Sequence, residues 1–204
     1  MRENRLSARI VAFGVGVLAL AALRMQFDAL LEPVASAPVW ARLWFMASYF
    51  TILTNLLVAL AMFAVAQGRA LTARIAGALL LSILMVTITY HLILARLWSP
   101  QGLAFWADQG LHTAVPLATL GWWLAFAPKD TRPRDLPYWL IWPLAYSLYS
   151  LIRGAITGFW PYSFFDLSTL SALRLSINIA AIVAAFSLLA LAILGLARLI
   201  RRST

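Results

Sequence analysis

Few side chains in this chain can do chemistry, and most of them fall into three short runs. His112 sits in Asp108-Gln109-Gly110-Leu111-His112-Thr113, with Pro116 one turn further on. His91, the only other histidine, follows Thr87, Thr89 and Tyr90. Ser48, Thr51, Thr54 and Asn55 form the third run. An imidazole can pass protons near neutral pH. Two facing imidazoles, His91 and His112, can hold a haem between them or, with Asp108 and Asp166, a metal ion. Each can equally serve as a hydrogen-bonding group between helices. A threonine such as Thr51 commonly bonds back to the carbonyl one turn earlier, here Ala47. With no cysteine in the chain, disulfides, zinc-thiolate sites, iron-sulfur clusters and cysteine nucleophiles are all excluded.

The elements that must carry these residues follow from composition. The chain has 204 residues, of which 63% are apolar and 11% charged. Soluble chains average about 25% charged residues. Apolar runs of a length that can cross a bilayer fall at about 8–25, 44–66, 73–95, 106–127, 137–157 and 173–197. The expected fold is therefore all-α and integral to the membrane, a single domain of six transmembrane helices. The first run, with arginines ahead of it and Ala35-Ser36-Ala37 after it, has some features of a signal peptide, but its apolar stretch is long for one. It is read as a retained span.

Orientation follows from the positive-inside rule. Eleven basic residues (Arg2, Arg5, Arg9, Arg69, Arg74, Lys129, Arg132, Arg134, Arg198, Arg201 and Arg202) fall on one side, and five (Arg24, Arg42, Arg96, Arg153 and Arg174) on the other. Both termini are expected in the cytoplasm. Trp40, Trp44, Trp98, Trp106 and Trp160 then mark the outer aromatic belt, and Trp122, Trp123, Trp139 and Trp142 the inner one. The net charge of +9 is explained by these short loops, which disfavours nucleic-acid binding.

Polar residues inside spans usually face a bundle interior or a water-filled cavity. At 1.5 Å per residue, Thr51 lies about 10 Å below a second span that starts at Trp44, and His112 about 9 Å below a fourth span that starts at Trp106. Ser147, Tyr149, Ser150 and Arg153 on span 5, and Arg174 and Asn178 on span 6, also fall in the outer half. A polar cavity opening toward the outer leaflet is expected. Pro116 cannot donate the helical bond that the His112 carbonyl would accept, so a bend is expected at the imidazole. No acidic residue falls in a span core, which leaves a transporter or channel with little support.

Tyr49-Phe50-Thr51-Ile52-Leu53-Thr54-Asn55, Gly110-Leu111-His112-Thr113-Ala114-Val115-Pro116 and Thr157-Gly158-Phe159-Trp160-Pro161-Tyr162-Ser163-Phe164-Phe165-Asp166 resemble, in order and spacing, the androgen-induced-gene/FAR-type membrane proteins. That family includes the androgen-dependent TFPI-regulating protein, and the chain looks like one of its bacterial six-span relatives. The resemblance implies an intramembrane hydrolase of fatty acid esters of hydroxy fatty acids or similar lipid esters. It implies no cofactor, a threonine nucleophile at Thr51 and a histidine base at His112. It further implies a bacterial inner membrane, and the charge count then puts the site toward the outer face of that membrane. The chain departs from some animal members, which have an aspartate at the position of Thr54 and a histidine at that of Gln109.

In such a dyad a base takes the hydroxyl proton as oxygen attacks the ester carbonyl. Asp108, one turn before His112, is a candidate to orient the imidazole. Asn55 is a candidate oxyanion donor, and Arg153 a candidate to hold a fatty carboxylate or lipid phosphate. The competing readings are a non-catalytic lipid-binding bundle, in which Thr51 and His112 only bond to each other, and the haem or metal site of His91 and His112.

Overall fold

The computed structural model describes residues 2–96 and 99–203. Trp98, expected in the outer belt, and the side chain of Arg2 lie outside what is described. Among the described residues every regular element is helical. The chain forms two compact units, Met1–Pro128 and Lys129–Thr204.

The first unit holds α1 (Arg2–Asp28), α2 (Val39–Met46), α3 (Phe50–Ala66), α4 (Ala73–Thr89), α5 (Leu103–Gln109) and α6 (Val115–Phe126). One π-helical turn, Tyr90–Leu94, continues α4, and another, Gly110–Ala114, joins α5 to α6. On α1, Ala12, Val15, Ala19 and Ala22 are buried at helical spacing. This small-residue stripe brings α1 close along α3 and against α5 and α6. At Gly110 the approach is close enough that an added Cβ would stand 2.7 Å from the Ala22 Cβ. Alanine has no side-chain rotamer with which to yield, so Gly110→Ala must push α1 away. We expect it to cost about 1–3 kcal/mol as an overpacking change, read as a lower midpoint of thermal unfolding in detergent. Gly121→Ala, which meets nothing within 4 Å, is the neutral control.

The second expected span does not run as one helix. Bonds from the Ser48 and Tyr49 amides to the Phe45 and Met46 carbonyls tighten the end of α2. Tyr49 is then extended, at φ −101° and ψ 131°, and α3 starts afresh at Phe50, bent by 98° from α2. Thr51 is therefore in the first turn of α3, not two turns into a helix from Trp44. No glycine or proline between 44 and 52 marks this corner.

All six expected stretches are helical, but they differ in length and continuity. Arg5–Asp28, Ala73–Leu94 and Ala172–Arg202 are each long and apolar enough to cross a membrane, and α2 with α3 makes a fourth if the bent pair is one span. α3 has 17 residues, and the stretch from Leu103 to Phe126 is interrupted by its π turn. Leu6, Ile10, Phe13, Val17 and Leu20 leave an exposed apolar face on α1. A surface of this kind suits contact with lipid.

The second unit holds α7 (Leu136–Trp139), α8 (Ile141–Thr157) and α9 (Ala172–Ser203). α8 ends at Gly158, whose φ of +71° is the left-handed cap that glycine adopts without strain. The chain then turns back so that Trp160 lies on Gly154, where a Cβ would stand 2.2 Å from the indole. Tyr162 stacks on Phe164 with centroids 5.0 Å apart, Phe165 is buried, and Asn178 of α9 donates to the Phe164 carbonyl. The third motif run thus forms a packed turn between α8 and α9.

Candidate active site

The site is built where α3, the end of α4 and the α5–α6 junction meet inside the first unit. Pro116 and the π turn together decide which carbonyls lose their helical donors. The Val115 amide donates to Gly110, five residues back, instead of to Leu111. Proline has no amide hydrogen to offer. The Leu111 carbonyl therefore lacks a donor within its own helix, and Asn55 of α3 supplies one at 3.2 Å. The same amide nitrogen donates to the Thr51 carbonyl at 2.9 Å. Asn55, fully buried, thus ties the turn carrying Thr51 to the turn carrying His112. Both of its amide hydrogens are occupied, so the expected role as oxyanion donor does not fit. The first-turn amides of Thr51 and Ile52 have no acceptor one turn earlier in α3.

Thr51 Oγ1 stands 3.4 Å from His112 Nε2. His112 Nδ1 is 3.0 Å from the backbone carbonyl of Asp108 and 3.2 Å from its carboxylate Oδ1. A carbonyl can only accept, so Nδ1 carries the hydrogen. In the neutral ring Nε2 then presents its lone pair to the Thr51 hydroxyl. Thr51 donates to an imidazole rather than resting on Ala47. Thr51 is 9% exposed and Asp108 2%, while the His112 side chain keeps 14% of its surface open. The imidazole is the part of the set that a bound molecule could reach.

Tyr90 completes the set, and sequence reasoning gave it no role. Its phenol donates to Asp108 Oδ2, and its ring stacks on His112 with centroids 3.9 Å apart at 14°. The signal was present in the Tyr90-His91 pair near a span end, but a tyrosine at that depth also reads as a belt residue. Gln109 Nε2 approaches the same carboxylate oxygen at 3.5 Å.

His91 is held elsewhere. Thr113 donates to Gln109 at 3.2 Å, so its hydroxyl oxygen accepts from His91 Nε2 at 3.0 Å. The Tyr90 ring makes an edge contact with His91, 5.0 Å between centroids, and a face contact with His112. Both Nε2 atoms thus face threonine hydroxyls, an arrangement that does not suit a shared haem or metal. Among the described residues no three His, Asp or Glu side chains gather as a metal site. Asp166 belongs to the second unit. There it accepts from the Ser168 hydroxyl and amide, and the Ser168 hydroxyl holds its carboxyl below the ordinary value.

Arg153 also lies in the second unit, on α8, where it is buried and its carbonyl accepts from Thr157. The structure therefore brings Thr51, Asn55, Asp108 and His112 together in one unit and describes Arg153 in the other. Comparison with protein-family models, curated proteins and solved structures finds no match to this chain.

Proposed function

We infer that the chain is an intramembrane hydrolase of lipid esters that uses Thr51 as nucleophile and His112 as base. The observation that carries this reading is the Thr51 hydroxyl facing a histidine whose far nitrogen is bonded to Asp108. The separation of 3.4 Å is in the range of apo sites, whose catalytic bonds tighten when substrate binds. Thr51 Oγ attacks the ester carbonyl as its proton moves to His112 Nε2. The carbon–oxygen bond to the alcohol breaks, and the alcohol leaves with that proton. Water then attacks the acyl-threonine, again giving its proton to Nε2, and the acid departs as Thr51 recovers its hydrogen. One ester and one water become one acid and one alcohol. The first-turn amides of α3 receive the oxyanion, and the Asp108 carboxylate balances the transient imidazolium.

The substrate class, a fatty acid ester of a hydroxy fatty acid or a similar lipid ester, comes from the family resemblance. So does a bacterial inner-membrane location. The six apolar runs support six spans, and the charge count supports cytoplasmic termini and a site toward the outer face. α2 suits a place at a membrane surface. It stands at 98° to α3 and exposes Val39, Trp40, Leu43 and Trp44, as a helix lying in a membrane interface does.

The test is turnover of a panel of lipid esters by the purified protein in lipid nanodiscs, with Asp108→Asn as a graded arm. Replacing the orienting aspartate of a triad costs about 10^4-fold when the wrong tautomer results. Here the Asp108 backbone carbonyl still holds Nδ1–H after the change, so the expected fall in kcat is smaller, roughly 10- to 100-fold, with KM little altered. Absence of turnover for every ester, with intact folded protein, sinks the reading.

A further inference from the structure

We propose that Tyr90 is a positioning residue that fixes the aim of His112, through its ring directly and through Asp108 by its phenol; this rests on the hydrolase reading above. The Asp108 carbonyl and carboxylate both engage Nδ1. They set which nitrogen carries the hydrogen, yet hydrogen bonds at one atom leave the ring free to swing about them. The stacked phenol ring, 3.9 Å away and nearly parallel, restrains that swing. With one nitrogen and one face held, Nε2 has a single direction, toward Thr51.

Two further features show how Tyr90 itself is held. Its phenol bonds to Asp108 Oδ2, the carboxylate oxygen not facing His112. The carboxylate is thus braced from the far side, and the ring is kept in register over the imidazole. The Tyr90 carbonyl accepts from the Ala95 amide at 2.8 Å, five residues on, which makes Tyr90 the first residue of its π turn. His112 sits in the middle of the other π turn. Each turn inserts one residue into its helix, and such insertions frequently mark functional sites. The stacked pair is formed where the two insertions meet. Tyr90 is not placed to transfer a proton, because its hydroxyl hydrogen is committed to a buried carboxylate.

The test uses Tyr90→Phe, which keeps the ring, and Tyr90→Leu, which removes it; Tyr90→Met serves as a second ring-free variant if leucine impairs folding. Two readouts are taken on the full chain in nanodiscs. One is steady-state hydrolysis, the other the NMR spectrum of the labelled imidazole in a His91→Gln background, where His112 is the single histidine. Ring-free variants are expected to lower kcat about 30- to 100-fold with KM within about two-fold, the scale of a slightly misplaced catalytic group. Tyr90→Phe should stay within about five-fold of the parent. The upfield ring-current shift of the His112 carbon-bound hydrogens should persist in Tyr90→Phe and vanish in the ring-free variants. Equal kcat in ring-free and Phe variants, or a ring-current shift that survives loss of the ring, overturns the proposal. If the parent hydrolyses nothing while the NMR pattern follows expectation, the hydrolase reading falls and the hold of Tyr90 on His112 stands.

Discussion

Thr51→Ala is expected to reduce ester turnover to background, a loss on the order of 10^3-fold or more in kcat, with thermal stability nearly unchanged. The Thr51 hydroxyl has one described side-chain partner, His112 Nε2, and its carbonyl bond to Asn55 belongs to the backbone and survives the change. His112→Ala should fall by a similar factor. The double variant should be barely worse than either single one, because groups that act as a unit give non-additive losses. Thr51→Ser keeps the oxygen and should retain activity within about ten-fold. Steady-state rates on one ester substrate, with unfolding followed in parallel, separate these outcomes. A Thr51→Ala protein with parental turnover would show that the hydroxyl is only a hydrogen-bond donor between helices, as in a non-catalytic lipid-binding bundle.

Asn55→Leu is expected to have the largest effect on stability, about 2–4 kcal/mol. Leucine fits a site of similar volume but donates nothing. The Leu111 carbonyl would then be buried without a donor, since the Val115 amide is bonded to Gly110 and Pro116 has no hydrogen. Leaving a buried polar group unsatisfied costs about 1–3 kcal/mol, and the tie between α3 and the α5–α6 junction is lost besides. Asn55→Asp should be comparably damaging, because a carboxylate also lacks the donors. Thermal unfolding in detergent measures the loss. Hydrolysis assayed well below the unfolding midpoint should also fall, because the same amide sets the distance between Thr51 and His112. A stability loss under 1 kcal/mol would mean that the Leu111 carbonyl finds another partner.

Hydropathy located the helical stretches well, since a long apolar run is a compositional signal much wider than a single turn. The break at Tyr49 left none. One extended residue between two apolar helices does not alter a hydropathy window, and nothing local forces it, so Thr51 was placed too far into its helix. Pro116 was legible in part. Its missing amide predicted a freed carbonyl at His112, but the π turn moves the Val115 donor as well, so Leu111 is the carbonyl that Asn55 takes up. A π turn depends on what packs beside it and is not written in propensity. The pairing of Thr51 with His112 follows from the family resemblance and that of Asp108 with His112 from their spacing of one turn, and the structure places the three side chains beside one another. Tyr90 was missed because aromatic residues at span ends have an ordinary explanation at the membrane interface. For Asn55 the sequence offers an amide donor, but its two backbone acceptors lie on different helices that only the fold brings together.

The most direct measurement is the covalent one: treat the purified protein with a lipid-tailed fluorophosphonate and map the modified residue by peptide mass spectrometry. A single adduct is expected on the Thr51 oxygen, absent in Thr51→Ala and strongly slowed in His112→Ala. An adduct on another residue, or undiminished labelling of Thr51→Ala, would contradict it.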